Sequence, residues 1–265
     1  MHLFFNLYNI YNRKITRLGR ARAVRSLEQI TTEQYQQAAK DYQLYFRLSS
    51  RDDWDTDEER EQDSIARNPY AAWEWGMALR GSGDYKGAAN IHKLASAAFN
   101  DIGDKAHSVI SELDAGIDLA ITTDSDSARQ VLSEAIKKTT TVEGRDVDLL
   151  QRVIAKEGEA RVALASILWG AGDKIAAEDT FYEACSRLDQ LEADYVARQT
   201  ATKGTSNPLI SNIPPFSIDA TVGAGEISCS KFKSDRFLAD RLKWPTPLKE
   251  KSDVLTKIKK KPFEN

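Results

Sequence analysis

Three times along this chain, a small residue is followed by an alanine twelve positions later and by a second alanine seven positions after that. The three triplets are Gly76–Ala88–Ala95, Gly116–Ala128–Ala135 and Ala165–Ala177–Ala184. Two helices pack closely where small side chains lie at their crossing, so this spacing predicts repeated antiparallel helical hairpins.

Turn residues separate the first two members of each triplet. Gly83-Asp84 and Gly172-Asp173 can end one helix and begin the next, and Thr123-Asp124 takes this place in the second triplet. No proline lies between Pro69 and Pro208, which fits continuous helices. The predicted helices span 32–48, 70–82, 85–101, 105–122, 125–138, 146–171 and 174–199.

The charge of the chain is unevenly distributed. Residues 1–27 and residues 231–265 each carry +6, so residues 28–230 must carry −15 to give the total of −3 for the 265 residues. An acidic body disfavours nucleic acid as a partner. No apolar run reaches the roughly 18 residues that a membrane span needs, so we expect no transmembrane span.

The basic ends could bind an acidic protein, an anionic lipid surface or RNA. Residues 1–27 resemble an organelle-targeting presequence, and the alternative is a basic helix that stays on the protein and docks there. The predicted docking residues are Arg13, Lys14, Arg17, Arg20, Lys257, Lys259, Lys260 and Lys261. Peripheral contact with a membrane through these ends is compatible with their charge.

Few residues suggest catalysis or the binding of a metal or cofactor. His92 occupies a packing position, and no zinc-helix motif, phosphate-binding loop or nucleophile elbow occurs. Cys185 is interpreted as a small core residue, and a bridge to Cys229 would require an oxidising compartment. We therefore expect no catalytic residue, no metal site and no cofactor. The acidic stretch 52–59 is interpreted as a solvated connector or the start of a helix.

The hairpins resemble tetratricopeptide repeats over about residues 70–195. The first carries Trp75-Gly76, Gly83-Asp84-Tyr85 and Ala88, and the third carries Ala165, Gly172-Asp173, Ala177 and Phe181. The central alanines are 40 and 49 residues apart, against about 34 in the family, so the repeats are lengthened and divergent. The resemblance implies an all-α solenoid of about three repeats that binds other proteins.

In that family the first helix of each hairpin lines a concave groove. The corresponding residues here are Trp73, Met77, Leu113, Ile117, Ile121, Val162 and Trp169. Such a groove would bind an amphipathic helix or an extended apolar segment, with Trp73 and Trp169 as anchors. Two alternatives stay open: these side chains are ordinary core, or the chain's own C-terminal segments fill the groove.

A second resemblance concerns the C-terminal end. Cys229, Phe232, Phe237-Leu238 and Trp244-Pro245 follow one another as in some tetratricopeptide-like proteins of plant and algal plastids. This implies a thylakoid-associated plastid protein, with a cytoplasmic protein as the alternative.

These observations divide the chain into four parts. They are a basic N-terminal segment (1–30), a helix with an acidic connector (31–68), the helical repeats (69–199), and an extended linker with a basic tail (200–265). We expect a non-catalytic scaffold that acts as an assembly factor or peripheral subunit of a large, membrane-associated organellar complex. The alternatives are an RNA-binding repeat protein that uses its basic ends and an enzyme with a cryptic site between hairpins.

Overall fold

The fold is all-α over the residues that the structure describes. A computed structural model describes residues 13–23, 31–49, 56–122, 125–144, 146–203, 228–242, 244 and 246–256. No strand occurs among them, which confirms the predicted fold class. The chain forms two compact units, residues 1–118 and residues 119–265.

The first unit is built on α2, α4 and α5. Its helices are residues 13–23 (α1), Thr32–Ser49 (α2), Asp57–Arg67 (α3), Pro69–Ser82 (α4), Tyr85–Asp101 (α5) and Lys105–Ile121 (α6), whose last three residues belong to the second unit. Helix α4 packs against α2 and α5, and α3 packs against α2 and α5. The largest buried apolar side chains of this core include Tyr42, Phe46, Phe99, Leu113 and Ile117.

The second unit is centred on a long hairpin. Its elements are Ser125–Thr139 (α7), Val147–Gly170 (α8), Lys174–Lys203 (α9), a 3₁₀ turn at Cys229–Lys233, a π turn at Phe237–Arg241 and Thr246–Thr256 (α10). Helices α8 and α9 form the hairpin, α7 packs on α8, and α10 packs on both α8 and α9.

The predicted helices of the repeat region are confirmed to within a few residues. The largest difference is at α9, which continues to Lys203 instead of ending at 199. The acidic stretch includes the start of α3, where Thr56 and Glu59 form a capping box.

Glycine-aspartate turns end α4 and α8 as predicted. Gly83 (φ 90°) and Gly172 (φ 87°) adopt the left-handed conformation that favours glycine, and the side chain of Asp84 accepts a hydrogen bond from the backbone of Gly87. Gly103 (φ 79°), followed by Asp104, makes a third such turn before α6. Thr123-Asp124 lies outside the described residues.

The small-residue triplets are buried. Their seven alanines, Ala88, Ala95, Ala128, Ala135, Ala165, Ala177 and Ala184, are all 0% exposed. Gly76 lies against the ring of His92 so closely that an added Cβ would overlap the imidazole. Absence of a side chain therefore determines how near α4 and α5 approach each other.

The prediction of an extended C-terminal arm is wrong for the described residues beyond 227. This segment forms two short helical turns and α10, and its large apolar side chains are buried except for that of Val254. The physical reason is that α8 and α9 offer an apolar face on which these side chains leave water.

Among the described residues, no helix combines the length and apolarity that crossing a bilayer requires.

Asp104, at the start of α6, supplies an acid-sensitive contribution to stability. Burial alone would raise its pKa, but hydrogen bonds from Tyr70 Oη (2.7 Å) and from His107 lower the pKa of Asp104 below its usual value. Because the pKa of Asp104 is lower in the folded protein than in the unfolded chain, its carboxylate stabilises the fold at pH values above the unfolded-state pKa of about 3.9. This stabilisation is lost as the pH falls through the folded-state pKa.

We expect the Asp104→Asn variant to lose less stability than the wild type between about pH 5 and pH 3, because asparagine keeps the helix cap but does not titrate. Urea unfolding at each pH measures the difference. Parallel stability curves for the two proteins would contradict this expectation.

Candidate functional site

A polar cleft of about 710 Å³ opens in the first unit between α2, α3, α4 and α5. Its polar lining residues are Gln36, Lys40, Gln43, Glu58, Glu61, Gln62, Ser82, Asp84 and Asn90. Its apolar lining residues are Ala39, Trp75, Leu79, Ile91 and Leu94. The volume lies within the roughly 300–1,000 Å³ that is usual for ligand sites.

Helical spacing places the polar side chains of α2 in a row. Gln36, Lys40 and Gln43 follow one another at intervals of four and three residues, so they share one face of the helix. The flanking face of the helix carries Tyr42 and Phe46, which are buried in the core. The cleft wall is therefore the outward face of a helix whose inward face anchors it.

Four solvent-exposed side-chain amides line the cleft. They belong to Gln36, Gln43, Gln62 and Asn90, and none bonds to another described residue. Each amide presents two N–H donors and one carbonyl acceptor. A ligand that alternates donors and acceptors, as a peptide backbone does, would match this lining.

The ionisable lining is acidic. Glu58, Glu61 and Asp84 face one cation, Lys40. Burial raises the pKa of Glu61; the positive charge of Arg47 opposes this rise, and the neighbouring carboxylates of Glu58 and Asp57 add to it. This wall of the cleft therefore favours a positively charged group.

Trp75 gives the cleft a rigid apolar wall. Its indole is 4% exposed and stacks on Phe46, with ring centroids 5.4 Å apart. The aromatic pair connects the wall to the core, so the cleft is preformed by packing.

A second polar cluster lies fully inside the first unit. Arg80 of α4 binds two carboxylates of α6, with Nη1 3.0 Å from Asp114 Oδ1 and Nε 2.5 Å from Asp118 Oδ1. His92 Nδ1 lies 2.7 Å from Asp118 Oδ2, and Trp73 Nε1 donates to Asp114 Oδ2 at 2.9 Å. All five side chains are buried. The prediction that His92 packs in the core is confirmed, and this cluster joins α4, α5 and α6.

The residues predicted to line an apolar groove are mostly buried. In the first unit Trp73, Met77, Leu113 and Ile117 are at most 7% exposed, and in the second Val162 is 0% exposed. Ile121 and Trp169 are partly exposed, and Lys174 Nζ lies 5.3 Å from the Trp169 ring. The five buried side chains are ordinary core residues, which was the alternative interpretation. A binding role for the seven predicted groove residues stays a prediction.

The N-terminal basic residues contact the chain's own body. Arg17 and Arg20 each lie 3.2 Å from Asp41 Oδ1 of α2, and Arg22 pairs with Glu74 of α4. Arg13 and Lys14 lie on the same helix, α1, and their docking role stays a prediction. Lys257, Lys259, Lys260 and Lys261 lie outside the described residues. Helix α1 is thus held on the first unit by ion pairs.

Sequence reasoning missed the polar cleft because glutamine and glutamate on a helix are usually just solvated. The available signal was the row of Gln36, Lys40 and Gln43 on one face of α2, beside the face that carries Tyr42 and Phe46. Among the described residues, no group of three or more His, Cys, Asp or Glu side chains could hold a metal ion.

No protein-family model matches this chain, and neither the curated proteins nor the solved structures include a match.

Proposed function

We propose that the protein is a non-catalytic scaffold whose polar cleft binds an extended segment of a partner protein. The observation that carries this proposal is the set of four solvent-exposed amides along the cleft, which form no side-chain hydrogen bond with another described residue. An extended peptide exposes backbone donors and acceptors along its length, and side-chain amides can satisfy both kinds.

The charge of the cleft favours a segment that carries lysine or arginine. Glu58 and Glu61 lie near each other on α3, and Lys40 is the one cation among the described residues that line the cleft. An incoming cation would relieve the repulsion between the carboxylates. Complementary charge also speeds the encounter of the two proteins.

We further propose that the hairpins form a divergent tetratricopeptide-like solenoid. The buried small-residue triplets and the two Gly-Asp turns support this. The order of Cys229, Phe232, Phe237-Leu238 and Trp244-Pro245 supports a plastid protein. Under this proposal the partner is a subunit of a large membrane-associated complex, and the protein acts as its assembly factor or peripheral subunit.

The two other functions are less well supported. RNA binding would use the basic ends, but Arg17 and Arg20 already pair with Asp41. An enzyme would need an accessible reactive group, whereas Arg80, His92 and Asp118 are enclosed.

A photo-crosslinking amino acid at Gln43 tests the proposal in an extract of the source cells, with the same amino acid at Gln190 as control. Gln190 is exposed on α9 and already bonds to Asp194 (2.8 Å). We expect the Gln43 probe to crosslink a polypeptide that the Gln190 probe does not, and peptide mass spectrometry should place the adduct beside a lysine or arginine. Adding Glu61→Gln should weaken the crosslink about 3- to 10-fold, as loss of one partly exposed charge pair costs roughly 1 kcal/mol.

Equal crosslinking from positions 43 and 190 would contradict the cleft as the binding site. A crosslink from position 43 to RNA would favour the RNA-binding alternative.

A further inference from the structure

We propose that the Cys185–Cys229 disulfide is a site of reversible reduction by dithiols, and that its reduction releases the C-terminal tail from α8 and α9. The C-terminal tail is defined as the described residues 228–242, 244 and 246–256. The structure pairs the two cysteines, with their Cα atoms 4.7 Å apart and 44 residues between them in sequence.

The disulfide is placed where a dithiol can reach it. Cys185 and Cys229 are both partly exposed. They are also the only cysteines of the chain, so reduction cannot lead to exchange with a third thiol of the same molecule. Partly exposed disulfides are the ones that reductants attack most readily.

The disulfide joins the start of the tail to α9, and apolar contacts hold the remainder. The buried side chains of the tail include Phe232, Phe237, Leu238, Leu242, Trp244 and Leu248. Helix α10 lies on α8, and the 3₁₀ turn lies on α9. The tail thus covers part of the α8–α9 hairpin.

Charged groups beneath the tail lower the free-energy cost of releasing it. Trp244 Nε1 donates to Glu159 Oε1 (3.2 Å), and Glu159 Oε2 also lies 2.6 Å from Lys156 Nζ. Glu159 and Lys156 are 2% and 4% exposed, so the docked tail keeps an ion pair away from water. Release would rehydrate both charges, which offsets part of the lost apolar contact.

The docked tail also leaves one of its own polar groups without a partner. Ser252 is 0% exposed, and its Oγ makes no hydrogen bond among the described residues. A buried hydroxyl without a partner destabilises the docked state relative to the released state, in which water binds it. The unpartnered hydroxyl therefore subtracts from the apolar stabilisation of the docked tail, and the disulfide adds a covalent constraint to it.

The chemical step is thiol–disulfide exchange with a dithiol, either a small reagent or a protein of the dithiol oxidoreductase class. A thiolate of the dithiol attacks one cysteine sulfur, the S–S bond breaks, and the other cysteine leaves as a thiolate that takes up a proton. The second thiol of the reagent, as its thiolate, then attacks the reagent's own sulfur in the mixed disulfide, and the remaining cysteine leaves as a thiolate that takes up a proton. The protein gains two electrons and two protons, and the dithiol becomes a disulfide.

Hydrogen exchange with mass spectrometry on the full chain tests the proposal, with dithiothreitol as the probe. Intact mass shows the gain of two hydrogen atoms, and we expect peptides from the tail and from the part of α8 around Lys156 and Glu159 to exchange roughly 10-fold faster after reduction. Peptides from α4 and α5 serve as the internal control and should not change. Reoxidation should restore the original exchange rates, and the Cys185→Ser/Cys229→Ser variant should behave as the reduced protein does.

Unchanged protection of the tail in the reduced protein would overturn the proposal, because the disulfide would then be a static clamp. Faster exchange throughout the chain would overturn it as well, since reduction would then unfold the protein instead of releasing one segment. Complete alkylation of both cysteines without reductant would show that the bond does not form.

Discussion

Replacing Arg80 with methionine is expected to lower the free energy of unfolding by about 3–5 kcal/mol. Arg80 is the cation bound by Asp114 and Asp118, and both carboxylates are 0% exposed. Without the guanidinium, two negative charges would stay buried with too few compensating partners. Urea unfolding followed by circular dichroism measures the loss.

Two comparisons make the Arg80 prediction specific. Arg22→Ala removes a surface ion pair with Glu74 and should cost less than about 1 kcal/mol. Adding Asp118→Asn to Arg80→Met should recover part of the loss, because one uncompensated charge disappears. A double variant less stable than the Arg80 variant would argue against charge burial as the cause.

Gly76→Ala is expected to cost about 1–3 kcal/mol in the wild type, because the new Cβ would overlap the ring of His92, which Asp118 holds in place. In a His92→Ala background the same change should stabilise the protein by up to about 1 kcal/mol, since alanine favours a helix more than glycine does. Unfolding of the four proteins in this cycle measures the sign change.

Gly19→Ala is the matched control for Gly76→Ala. Gly19 also lies in a helix, but nothing lies within 4 Å of an added Cβ. It should be neutral or slightly stabilising in both backgrounds. If Gly76→Ala cost the same with and without the His92 ring, contact between α4 and α5 would not explain the spacing of small residues that is repeated in each hairpin.

Much of the helical framework could be predicted because its signals are local. Gly83 and Gly172 end helices through backbone conformations that favour glycine, and the aspartates after them cap the next helices. The spacing of small residues likewise specifies a close crossing. These effects act over a few residues or a single hairpin.

The buried cluster could not be predicted from such local signals. Asp114 and Asp118 are four residues apart on α6, a spacing that would equally suit a solvated helix face. Their burial depends on Arg80, 34 and 38 residues earlier in the chain. Only the packed arrangement of α4, α5 and α6 brings these charges together.

The sequence by itself therefore determined the helices, their turns and the small side chains at their crossings, since propensity, caps and spacing act locally. The tertiary structure alone decided the amide-lined cleft, the buried ion pairs and the folding of the tail onto α8. Each of these depends on side chains from elements far apart in the chain, and a residue's burial is a property of its neighbours in space. Gln43 lines the cleft and Trp244 bonds to Glu159 because of residues distant in sequence, so neither role follows from the local sequence.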